Sequence, residues 1–152
     1  MNTDSTPILP AGSYSPARVS HSKTGNRYVS LGQVLDCTNS RDGTRVVLYQ
    51  RADGTPERFV REAGEFAEKF ASDVSDTIVR LADAPPAVPC RHKKTGNAYL
   101  FLGEVLDCTN SRNGTRAALY QRADDATQPM FVRELAEFWD KFELVYTGVL
   151  AN

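Results

Sequence analysis

The chain has only two histidines, three cysteines and one tryptophan, and almost no net charge. Each shortage removes a class of explanation. No apolar stretch approaches the roughly 18 residues of a membrane-spanning helix. The opening "MNTDSTPILPAGS" has neither a basic start nor an apolar core, so residues 1–13 read as a polar tail and not as a secretory signal. Cys37, Cys90 and Cys108 are odd in number and widely spaced, which fits free thiols in a reducing cytosol and an expected cytoplasmic location. Without a C-x-x-C or H-x-x-x-H pair, no metal site is expected, and no cofactor is expected either. With 18 basic and 19 acidic residues, a net charge of −1 creates no global field to recruit nucleic acid or membrane.

What is present is a repeat. "CTNSRDGTR" at 37–45 returns as "CTNSRNGTR" at 108–116, and roughly three in four positions match between His21–Asp53 and His92–Asp124. After one extra residue, "FVREAGEFAEKF" (59–70) matches "FVRELAEFWDKF" (131–142). Two units follow, residues 14–82 and 90–152, joined by the proline-rich "DAPPAVP" at 83–89.

Within a unit, "NRYVSLGQVLDC" (26–37) reads as a curved strand, with Gly32 marking a bulge or bend. Its apolar residues fall on both alternation faces, which suits a small barrel better than an open sheet. Asp42-Gly43 and Asn113-Gly114 predict type I′ hairpin turns. Strands at 44–50 and 57–61 follow, and 62–70 reads as a helix with Ala63, Phe66 and Phe70 on one face. Residues 71–82 fit either a longer helix or a strand. The expected fold is mainly β with α: two tandem SH3-like barrel units, each capped by a helix.

Turn chemistry accounts for Asp42-Gly43 but not for its flanks. Asn39, Arg41, Thr44 and Arg45 recur as Asn110, Arg112, Thr115 and Arg116, while apolar neighbours changed: Val46-Val47 became Ala117-Ala118 and Ser30 became Phe101. Retention of polar positions over apolar ones points to a ligand surface; recent duplication and local Ser/Thr/Asn hydrogen bonds are the simpler account. "HSKTGN" (21–26) recurs as "HKKTGN" (92–97), adding His21, Lys23, Thr24 and Asn26 with His92, Lys94, Thr95 and Asn97. Loop amides with a lysine can cradle an anion. The likeness to a phosphate-binding P-loop is superficial, because the full glycine spacing and a following helix are missing.

Charge is unevenly distributed. Residues 21–61 carry seven basic against four acidic side chains, and 91–133 carry the same balance, whereas 62–83 has six acids and two bases. Arginine offers a planar fork for phosphate or carboxylate, so Arg61 and Arg133 join the candidate site, with Tyr49 and Tyr120 as stacking surfaces.

Each copy resembles a short bacterial and phage family of uncharacterised domains with the approximate pattern G-x-Y-x-H-x-K-G, a Tyr-Val-rich strand, V-x-Y, W-V-R-P and a closing phenylalanine. The landmarks here are Gly12/Tyr14, His21/Lys23/Gly25, "VVLYQ", "FVRE" and Phe66, then His92/Lys94/Gly96, "AALYQ", "FVRE" and Phe138. Phe59 and Phe131 replace the tryptophan, Glu62 and Glu134 replace the proline, and the second copy lacks the Gly-x-Tyr entry. The resemblance implies an SH3-like barrel and, by association with phages, a counter-defence protein that sequesters a nucleotide signal. The expected function is therefore non-enzymatic binding of a small anionic, nucleotide-like ligand. A nucleic-acid or protein adaptor using the basic hairpin face is the alternative, and a hydrolase using His21 and His92, or a Cys37 thiol with His21, is the second.

Overall fold

The computed structural model describes residues 14–75, 78–125 and 127–145. The first repeat runs β1 (Ala17–His21), β2 (Arg27–Asp36), β3 (Thr44–Arg51), β4 (Arg58–Glu62), α1 (Ala63–Lys69) and β5 (Phe70–Ser72). The second runs β6 (Val88–His92), β7 (Ala98–Asp107), β8 (Thr115–Arg122), β9 (Phe131–Glu134), α2 (Leu135–Lys141) and β10 (Phe142–Leu144). The protein is mainly β, with a closed six-stranded barrel, additional strands and two short helices.

The barrel is shared, and this corrects the expectation of one barrel per repeat. β2, β3 and β4 form an antiparallel meander, as do β7, β8 and β9. Two parallel seams then close the ring: β4 on β7 with Phe59 opposite Leu106, and β2 on β9 with Leu35 opposite Phe131. A three-stranded meander leaves two open edges, and each repeat supplies the strands that cover the edges of the other.

Gly32 and Gly103 are bulges, with φ of 123° and 115° and a register shift at each. The bulge reverses the inward parity of β2, so Val29 and Leu31 face the core before it, and Val34 and Asp36 are buried after it. That is why apolar residues occupied both alternation faces. Inside the barrel, Val34, Val46, Leu48 and Val60 pack with Val105, Leu119, Met130 and Val132. Outside it, the other face of β3 carries Val47 and Tyr49 under Phe66 and Phe70, and the outer face of β8 carries Ala118 and Tyr120 under Phe138 and Phe142.

The hairpin turns lie at 42–43 and 113–114 but are not type I′. Asp42 has φ −56° and ψ 131°, and only Gly43 takes a positive φ, 90°. This is a type II pattern, which needs glycine only at its second central position. A single 3-10 turn, Asn39–Arg41, precedes it. Asp and Asn interchange there because the first central position accepts most residues. Helix α1 ends at Lys69 and the chain continues directly into β5, which decides part of the ambiguous 71–82 segment; residues 76–77 lie outside the described residues, as do 1–13 and 146–152. Pro85 of the connecting segment presses on the β7 bulge, where a Cβ on Gly103 would come within 2.8 Å of its ring. The three cysteines are free thiols, and among the described residues no helix is long and apolar enough to cross a membrane.

Candidate functional site

The repeated hairpin motif meets its own copy at one end of the barrel. Arg41 Nε donates to Asp36 Oδ2 at 2.6 Å, and Arg112 Nε donates to Asp107 Oδ2 at 2.6 Å. The pairs also cross: Arg41 Nη2 lies 3.9 Å from Asp107, and Arg112 Nη2 lies 3.7 Å from Asp36. Each carboxylate accepts a further hydrogen bond, from Thr38 N or Thr109 N at 3.0 Å. Two bases and two buried acids neutralise one another, so the guanidinium forks expected to take a ligand are occupied by the chain itself.

The remaining motif residues reach across in the same way. Thr38 Oγ1 accepts from Glu134 N and Thr109 Oγ1 from Glu62 N, both at 2.8 Å. The amides of Asn39 and Asn110 donate to Glu137 and Glu65, while Arg133 and Arg61 donate to the side chains of the same asparagines. Thr44 Oγ1 donates to Arg41 O, and Thr115 starts β8 opposite Asp107. Arg45 donates to Gln33, and exposed Arg116 pairs with Glu104 at 3.5 Å. The polar motif is a reciprocal clasp between repeats.

The second motif is a local turn. His21 Nδ1 accepts from Lys23 N and Thr24 N, and His92 Nδ1 accepts from Lys94 N and Thr95 N. Asn26 and Asn97 close their turns on Thr24 and Thr95 Oγ1. With Nδ1 accepting, the proton of each neutral imidazole belongs on Nε2. Burial, then Arg61 and two lysines, lower the His21 pKa; burial, then Arg133 and two lysines, do so for His92.

Five predicted residues do converge. His21, Thr24, Asn26, Tyr49 and Arg61 line a cleft of about 360 Å³ whose far wall is Leu106 and Cys108 of the other repeat. A second cleft of about 510 Å³, with Arg27, Asp53, Ile78 and Arg80, adjoins it through Asn26 and Arg51. Arg51 was absent from the predicted site although it recurs as Arg122; that recurrence was the available signal. Its guanidinium lies 5.8 Å from the Tyr28 ring centroid and 5.5 Å from that of Phe59. Neither Arg51 nor Arg80 has an ion-pair partner among the described residues. Arg80 belongs to a segment outside the repeated motifs, so nothing marked it.

Cys37 does not line the cleft that holds His21. Cys37 neighbours Tyr120 and Arg133, whereas His21 shares its cleft with Cys108. Burial pushes the Cys37 thiol up to about 11 and raises that of Cys108, so both stay protonated at neutral pH. Among the described residues, no group of three or more acidic, histidine or cysteine side chains is placed to hold a metal.

The fold and clefts therefore define a two-repeat β-barrel with an arginine-capped aromatic recess on its first half. No family model, curated protein or solved structure matches the chain.

Proposed function

We propose that the protein is a non-enzymatic binding protein for a small anionic, nucleotide-like ligand, taken into the adjoining clefts of the first repeat. The observation that carries this reading is Arg51: an uncommitted guanidinium laid over two aromatic rings at the junction of both clefts. Such a plane offers a stacking surface for a base and charge for a phosphate at once. Arg80 extends the positive wall, with Arg27 beside it paired to Asp73 at 3.4 Å, and Arg61, paired to Glu65 at 2.7 Å, lies beside the Tyr49 hydroxyl with no hydrogen bond from its Nε.

Binding without turnover is favoured by the same geometry, because the thiols are held protonated and each histidine Nδ1 is occupied in its turn. A tight binder without chemistry acts as a sink, which is the sequestering role that the phage-family resemblance suggests. Calorimetry with linear and cyclic nucleotides, a duplex and a single-stranded oligonucleotide tests it. Saturable nucleotide binding, weakened by Arg51→Ala, is expected. Salt-sensitive binding to any oligonucleotide would favour the adaptor reading instead, and nucleotide turnover would favour the hydrolase.

A further inference from the structure

One end of the barrel holds an arginine that nothing described neutralises. Arg58 is 8% exposed and Gln50 2% exposed. The two are register partners on β4 and β3. Alternation places Arg58 on the face of Val60 and Gln50 on the face of Val46, Leu48 and Ala52, all of which belong to the barrel core. Both side chains therefore point inward. Gln50 Nε2 is fully buried without a hydrogen-bond partner, whereas Arg58 forms no ion pair or side-chain hydrogen bond among the described residues but its guanidinium nitrogens reach solvent at the barrel mouth.

The second repeat shows how unusual this is. The residue equivalent to Arg58 is Met130, 3% exposed and part of the apolar core. One position in one architecture thus holds a methionine in one copy and a buried arginine in the other. A fully buried amide donor without a partner is costly, and a mostly buried, unpaired guanidinium beside it adds to that cost. Two adjacent donors of this kind have a common remedy, an anion with several acceptor oxygens.

We infer that Arg58 and Gln50 form an oxyanion site of the phosphate class at the first-repeat mouth of the barrel. The guanidinium fork supplies paired donors and the Gln50 amide supplies another, which matches a tetrahedral oxyanion better than a single-atom halide. Arg51 follows Gln50 directly, and Arg80 bonds its backbone N to Ala52 O at 2.8 Å, so further positive charge stands beside this end. Neither Arg58 nor Gln50 lines the two clefts, so the site is distinct from the proposed ligand recess.

Thermal melting with inorganic phosphate, against potassium chloride of equal ionic strength, tests this on the whole chain. Phosphate at ten times its Kd is expected to raise Tm by about 3 to 6 °C. Arg58→Met copies the sister repeat, so it should fold, melt above the parent in chloride and lose the phosphate response. Gln50→Leu should keep a response but need several-fold more phosphate. The inference is overturned if Arg58→Met melts below the parent in chloride, because the arginine is then neutralised by the chain. A phosphate response that survives Arg58→Met, or the lack of any response in the parent, also overturns it.

Discussion

The two repeats share a frame but differ in what they leave open. In the second, Phe101 packs on Phe138 and Trp139, where the first has Ser30, Phe66 and Ala67. Phe138 is fully buried while Phe66 is 8% exposed. Arg133 Nε donates to the Tyr120 hydroxyl at 3.3 Å, whereas Arg61 Nε forms no hydrogen bond. Arg122 lies over Tyr99 but is also tied to Asp124 at 2.9 Å; Arg51 lies over Tyr28 without a carboxylate, because Asp53 turns instead to Thr55. Arg61 and Arg133 are both ion-paired within their own repeat, so the difference lies in the added partners of Arg133 Nε and Arg122 and in the added ring contacts of Phe101.

That contrast can be broken or sharpened by experiment, beginning with what the copies share. Arg41→Ala and Arg112→Ala each leave buried carboxylate charge under-compensated, and each should lower unfolding free energy by about 3 kcal/mol in urea titrations. Equal losses are expected because each arginine reaches both acids. A loss below about 1 kcal/mol for either would show that the charge cluster does not hold the repeats together. Next, Arg51→Ala should weaken nucleotide binding by about 1.5 to 3 kcal/mol, in the range of hydrogen bonds to charged groups. Arg122→Ala should change it by a few tenths at most. Equal effects would mean that both repeats bind, and the asymmetry argument would fail.

A smaller effect tests the clasp. Thr38→Val and Thr109→Val each remove one acceptor for a backbone amide of the opposite repeat, and each should cost about 1 kcal/mol. The smallest concerns pH. Both histidines have folded-state pKa values below the ordinary 6.5. Above that value the folded and unfolded chains both hold neutral imidazoles; below it the unfolded chain takes up protons first, so stability falls as pH drops through 6.5. Melting curves between pH 7.5 and 5.5 should show a slight decline that a His21→Asn, His92→Asn double variant lacks, and the two single variants should share it evenly.

Much of the local architecture was legible. The bulge at Gly32, the three meander strands and the short helix follow from alternation, glycine placement and spacing over a few residues, whereas the flanking strands β1 and β5 carry no such signal. Barrel closure was not legible, because the edge of β2 has no local feature that distinguishes β9 from β4 as its partner. The same limit governed the site. Retention of Asn39 and Arg41 was visible, but their partners are Arg133, Glu137, Asp36 and Asp107, some of them nearly a hundred positions away, so a clasp looked like a ligand surface. Arg51 needed the structure for a different reason: both it and its sister Arg122 lie over aromatic rings, and only the Arg122–Asp124 ion pair separates them.

The two parallel seams have a consequence for how the molecule is held together. Each repeat meets the other through the same set of contacts, so the connecting segment at 81–87 acts mainly as a tether between two complementary three-stranded halves. A tether of this kind supplies an effective concentration in about the millimolar range, and the clasp and shared core then work as an intramolecular association. Severed there, the halves are noncovalent subunits whose assembly depends on dilution, and a single repeat paired with a second copy of itself has the strands needed to complete the same ring.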